Sequence, residues 1–145
     1  FMQALDHEKL QKIQDGIAER AGIYLYCVDA DGNAVTKLSG EPKEGERLLR
    51  LIGKENIEAL YNRLSRSSLE DQIIEDTSYG NVKTAAVTVR KEGRPTMCWL
   101  AYCVLEKKFT GRGHDADGVL RVTSESAFMQ ALELLRIWLT TEEKK

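Results

Sequence analysis

Three cysteines, two histidines and a set of aromatic hydroxyls carry the reactive chemistry available to this chain. The thiols are Cys27, Cys98 and Cys103, an odd number, each inside an apolar segment. A thiol reacts as the thiolate, so a redox sensor needs an exposed cysteine of lowered pKa. Buried, reduced thiols act as small apolar side chains, and that is the expectation here. Cys98 and Cys103 are an odd number of positions apart. On one strand they face opposite ways and form neither a disulfide with each other nor a zinc pair. A pairing of Cys27 with one of them across a sheet stays open.

His7 lies near a predicted helix start and His114 in a polar loop. Neither adjoins a nucleophile in sequence, so no Ser-His-Asp or Cys-His set can be assembled and no enzyme activity is expected. No glycine-rich phosphate loop precedes a helix. Asp29, Asp31 and Asn33 have the opening spacing of a calcium loop, but Ala34 and Gly40 stand where that loop needs Gly and Glu. No metal and no cofactor is expected. What remains is noncovalent. Tyr24, Tyr26, Trp99 and Tyr102 offer aromatic surface with hydroxyl or indole donors, and Thr84 and Thr88 share one strand face. Small-molecule sites are concave and apolar with a few polar groups, which makes these six the candidate ligand-binding residues. The competing reading is a filled core with tyrosines reaching water or backbone.

These residues must be positioned by strands. Ile23 to Val28 is uncharged and rich in β-branched and aromatic types, as a strand covered on both faces should be. Asp29 to Asn33 is turn chemistry with a central Gly32, and Ala34 to Leu38 returns, ending at Ser39-Gly40. Before this hairpin, Asp6 can cap a helix whose stripe is Leu10, Ile13, Ile17 and Ala21, stopped by Gly22. After it, Pro42 opens a helix carrying Leu48, Leu49, Leu51 and Ile52. Gly53 ends that helix, and Ile57, Leu60, Tyr61 and Leu64 mark another. Arg47, Arg50, Arg63 and Arg66 read as a solvated face. Three more strands follow at Gln72 to Thr77, Val82 to Arg90 and Thr96 to Leu105, the last apolar on both faces. Lys107 to Gly118 is loop, with a second Asp-Ala-Asp-Gly at Asp115 to Gly118. Ser124 can cap a last helix whose apolar face holds Phe128, Ala131, Leu132, Leu135 and Trp138. That face is assigned to dimerisation and signal relay.

With 145 residues, 42% apolar and 30% charged, the chain reads as one globular domain. Net charge is −2 and basic residues are dispersed, which argues against a nucleic-acid surface and an electrostatic membrane anchor. Apolar runs are too short to span a bilayer, and the N-terminal residues do not read as a signal peptide, giving a cytoplasmic expectation.

The order of elements predicts an α+β fold: a five-stranded antiparallel sheet with helices inserted between strands 2 and 3. Its core spans about 22–107, with an N-terminal helix at 6–21 and a C-terminal helix at 124–141. This arrangement resembles the PAS fold, in which the middle helices and one sheet face enclose a ligand pocket and the flanking helices lie outside the sheet. Leu10 to Asp15, Gly22, Val28 to Asn33 and Ser39-Gly40 further resemble the opening of PocR-type sensory domains. Those domains tend to carry cysteines after the first hairpin, and Pro42 to Ile52 has none, so no binding residue is carried over. The resemblance implies a small-molecule-sensing domain of a bacterial signal-transduction or transcription regulator. It would be a homodimer, with an output domain linked covalently or separate. The alternative is a ligand-free interaction or dimerisation module with a filled core.

Overall fold

The computed structural model describes residues 7–67, 69–91, 94–106 and 121–143. Asp6, His114, the second Asp-Ala-Asp-Gly and the centre of the turn at 92–93 lie outside them. Helix α1 (His7–Ala21) leads into β1 (Tyr24–Asp29). Helices α2 (Pro42–Ile52) and α3 (Lys54–Arg66) follow, then β2 (Gln72–Asp76), β3 (Val82–Lys91) and β4 (Arg94–Leu105). A two-residue β5 (Val122–Thr123) precedes helix α4 (Glu125–Glu143). Among the described residues no helix is long and apolar enough to cross a membrane.

The fold is α+β, built on a five-stranded sheet ordered β1-β4-β3-β2, with β5 paired to β4. β1, β2, β3 and β4 are antiparallel, with Tyr24 opposite Tyr102 and Thr84 opposite Tyr102 on the other side. The fifth strand is not the one the hairpin predicted. β5 pairs parallel with the end of β4, while the return segment after the turn makes only isolated bridges, Val28 to Ala34 and Leu25 to Ser39. The reason is local. The amides of Val35 and Thr36 both reach the carbonyl of Cys27 (2.8 and 3.5 Å), as in a β-bulge. The Cys27 amide then donates to the Thr36 hydroxyl at 2.8 Å instead of to a backbone carbonyl.

The turn forms from the residues that promised it. Asp29 Oδ1 accepts from the amides of Asp31 (2.9 Å) and Asn33 (3.0 Å), and Gly32 N–H bonds back to the Asp29 carbonyl at 2.9 Å. That carboxylate is occupied by backbone donors, which is how Asp favours turns. Ser124 caps α4 through the amide of Ala127 at 3.0 Å.

Alternation along the strands splits the core into two layers. On one sheet face, Tyr24, Tyr26, Val28, Ala86, Leu100 and Tyr102 pack under Leu48 and Ile52 of α2 and Ile57, Leu60 and Leu64 of α3. On the other, Leu25, Cys27, Val87, Trp99 and Ala101 meet Leu10 and Ala18 of α1 and Phe128, Leu132 and Leu135 of α4. The central strands are apolar on both faces because helices cover both. Helix α1 is turned from the expected stripe. Leu10, Gln14 and Ala18 are its buried residues, while Ile13, Ile17 and Ala21 are half-buried beside α4.

Candidate functional site

The six nominated residues do not form one site. Tyr24, Tyr26, Tyr102, Thr84 and Thr88 share the face under α2 and α3; Trp99 points to the opposite face. Three of the five, Tyr102, Thr88 and Thr84, have their hydroxyls bonded to backbone carbonyls, and Tyr24 is held by stacking. Tyr102 stacks on Tyr24 with ring centroids 5.3 Å apart and donates its hydroxyl to the Gly45 carbonyl at 2.6 Å. Thr88 donates to the Met97 carbonyl at 2.5 Å, and Thr84 to the Glu75 carbonyl at 3.3 Å. Most of the expected pocket is therefore filled core.

Two nominated residues border open space: Thr84 lies at a cleft of about 320 Å³ beside Asn56, Arg63 and Tyr79, and Tyr26 at a larger one. Tyr26 lines a cleft of about 630 Å³ between the return segment and the α2–α3 corner. Ala34, Leu38 and Leu49 give it apolar walls, Thr36 borders it, and Glu46, Arg50, Lys54 and Glu55 form a charged mouth. Tyr26 is only 6% exposed, and its hydroxyl has no hydrogen-bond partner among the described residues. Burial raises its pKa well above the usual tyrosine range, with smaller contributions from Glu58 and Cys98, so it stays a neutral donor. The Tyr24 hydroxyl is also buried without a partner, its pKa raised by burial and by Glu44 and Glu41 against a lowering from Arg121. Leaving a buried hydroxyl unpaired costs on the order of 1–3 kcal/mol, which marks such atoms as places where a ligand group or water belongs.

The cleft is wired to the far side of the sheet by a residue the sequence did not flag. Gln14 of α1 is fully buried. Its Oε1 accepts from the Thr36 hydroxyl at 2.6 Å and from Trp99 Nε1 at 3.0 Å. Its Nε2 donates to the Leu25 carbonyl (3.1 Å), the Lys37 carbonyl (2.8 Å) and Ser39 Oγ (2.7 Å). Trp99 in turn lies against Trp138 of α4, ring centroids 6.0 Å apart. Thr36 thus lines the cleft and holds the hub that joins β1, α1, β4 and, through Trp99, α4.

No protein-family model matches this chain. No curated protein matches it either. Among solved structures it is similar to Myxococcus xanthus MglB, at 13% sequence identity over 97% of this chain and 95% of that one, with a TM-score of 0.48. A likeness that distant carries no argument here.

The other nominated groups can be placed directly. Phe128, Ala131, Leu132 and Leu135 are at most 2% exposed and pack with the chain's own sheet, while Ala131 and the half-buried Trp138 also border a groove between α1 and α4. The amphipathic pattern marked a buried face, and within the chain the sheet and α1 supply its cover. The arginine face meets solvent, with Arg63 paired to Glu75 and Arg47 at 3.6 Å from Glu44. Cys27, Cys98 and Cys103 are free and fully buried, Cys98 on the α2–α3 face and Cys103 on the other. Burial pushes the Cys98 and Cys103 thiols up to about 12 and Cys27 higher still. An exposed thiolate is what redox sensing needs. In native protein at neutral pH all three should resist a disulfide reagent, reacting only with denaturant; prompt labelling of one thiol would contradict this burial.

Proposed function

We propose that this chain is a PAS-like sensory domain of a bacterial regulator. Its cleft at Tyr26 binds a small, partly apolar molecule, and occupancy is passed to the terminal helices. The observation that carries the reading is the buried, unpartnered Tyr26 hydroxyl in the wall of an open cleft. An apolar ligand body would lie against Leu38 and Leu49, and a polar group would meet Tyr26. Two features of the fold support the PAS-like assignment: α2 and α3 cover one sheet face, and α1 and α4 lie against the other. The hydrogen bond from Thr36 to Gln14 gives occupancy a path to α1, Trp99 and Trp138, and so to an output domain. A ligand acts this way only by binding one arrangement of these contacts better than another.

A second reading, a ligand-free interaction module, draws on the stacked Tyr24–Tyr102 pair that fills the interior beside the cleft. Native mass spectrometry of freshly purified protein separates the two. A retained small molecule, with its mass, supports sensing. A bare chain showing no thermal shift across a metabolite panel moves the assignment to the module. Tyr26→Phe sharpens the test. It deletes an unpaired buried hydroxyl, so the empty protein should keep its stability or gain up to about 1 kcal/mol. Affinity for a retained ligand should fall about tenfold. Full ligand retention by Tyr26→Phe would remove this residue from the site.

A further inference from the structure

The mouth of the Tyr26 cleft holds two acids and two bases, Glu46, Arg50, Lys54 and Glu55. Two of the four are matched within α3. Lys54 Nζ stands 3.9 Å from Glu58 Oε2, one turn along the helix. The Glu55 carboxylate lies over the α2–α3 corner, with Oε2 3.3 Å from where a Cβ on Gly53 would stand. Gly53 is the N-cap of α3 and offers that helix end no side chain, so an acid in the first turn meets the partial positive charge there.

Glu46 and Arg50 are left over. They are one turn apart on α2 with the acid first, the spacing and order at which opposite charges pair along a helix. No ion pair or hydrogen bond joins them, and neither has another such partner among the described residues. The neighbouring cation, Arg47, is turned to Glu44 at 3.6 Å. Leu49 stands between Glu46 and Arg50 in sequence and forms the apolar wall with Leu38. An unmatched acid and an unmatched base above an apolar wall select among ligands. An anion bound to Arg50 would be repelled by Glu46, and a cation bound to Glu46 would be repelled by Arg50. A ligand carrying both charges at one end of an apolar body satisfies the two together.

On the reading of this cleft as a ligand site, we propose that it takes an α-amino acid with an apolar or aromatic side chain. Arg50 holds the carboxylate, which its planar guanidinium can grip through two parallel N–H donors. Glu46 accepts from the ammonium. The side chain runs along Leu38 and Leu49 toward Tyr26, whose buried hydroxyl has no partner.

Calorimetric titration of the protein with L-leucine, L-methionine, L-phenylalanine and L-tryptophan tests this. Each is compared with its amide, which lacks the carboxylate charge, and its N-acetyl derivative, which lacks the ammonium. At least one amino acid should bind, and both of its derivatives should bind about tenfold more weakly, the effect of one lost charge-assisted hydrogen bond. Arg50→Gln should weaken the amino acid about tenfold and leave its amide unchanged. Glu46→Gln should do the same with the N-acetyl derivative as the unchanged ligand. Both side chains are exposed, so the melting temperature of the empty protein should hold in each variant. Derivatives that bind as tightly as the parent, or variants that bind it unchanged, overturn the proposal and leave the cleft a ligand site. So does native mass spectrometry that finds a retained molecule without this pair of charges. Failure of all four amino acids to bind also overturns it. Only a bare chain that no metabolite stabilises would take the ligand site down as well.

Discussion

Gln14→Leu should lower the unfolding free energy by about 3 kcal/mol, although leucine is close in size and far more apolar. The expected loss follows from which partners have a substitute. The Leu25 carbonyl also accepts from the Ser39 amide, the Lys37 carbonyl from Gln11 Nε2, and Ser39 Oγ donates to Asp15. These three stay satisfied. The Trp99 indole N–H and the Thr36 hydroxyl hydrogen lose the acceptor they share, inside a fully buried site. Each stranded donor costs on the order of 1–3 kcal/mol, and the extra apolar burial of leucine offsets only part of it. Urea denaturation of Gln14→Leu, Trp99→Phe and the double variant measures the coupling. The double variant has one stranded donor fewer, so it should recover about 1–2 kcal/mol relative to the sum of the single changes. Simple additivity would mean that Trp99 and Gln14 do not depend on each other. The same cycle bears on the proposed function, because this hub joins Thr36, which borders the cleft, to Trp99 and through it to Trp138.

Gln14 also shows where sequence reading stopped. The strands were legible because burial on both faces leaves long uncharged runs, and the helices because Ile57, Leu60, Tyr61 and Leu64 repeat at helical spacing. A glutamine at a core-facing position breaks that logic. Nothing local tells it from a surface residue, since the partners that satisfy it come from β1, β4 and the return segment. The bulge at Val35–Thr36 was hidden for the same reason: a side-chain hydroxyl replaces a ladder acceptor. β5 is two residues long, too short to leave a pattern. The six-residue ligand set contained one readable error. Trp99 and Tyr102 are three apart on one strand, so alternation alone sends them to opposite faces. For α4 the sequence established that one face is buried, and could not say whether by sheet or by partner. The cleft itself was out of reach, because Tyr26 is distinguished from Tyr24 and Tyr102 only by what the corner between α2 and α3 leaves uncovered.

The largest single-residue effect is expected at Gly40, where the return segment hands over to α2. Its φ is +111°, a region that L side chains rarely enter. A Cβ there would lie 2.5 Å from Tyr24 Cδ1 and 3.0 Å from the Ile23 carbonyl oxygen. Tyr24 has little room to retreat. Its ring stacks on Tyr102, and a Cβ on Gly45 of α2 would already come within 3.0 Å of that same Tyr24 atom. Two glycines and a stacked ring therefore make one tight seam between β1 and α2, directly beside the Tyr26 cleft. Backbone strain and forced repacking together should cost Gly40→Ala about 4 kcal/mol, a large share of what a domain this size has to lose. Gly80 supplies the control: its φ is +62° and a Cβ there meets nothing within 4 Å. Gly80→Ala should lose only the conformational term, about 1 kcal/mol. The difference between the two midpoints in urea isolates the contact with Tyr24. Equal losses would mean that the seam is slack and that Tyr24 moves freely. A mobile Tyr24 would join its unpartnered hydroxyl to that of Tyr26 and enlarge the cleft inward, toward the stack with Tyr102.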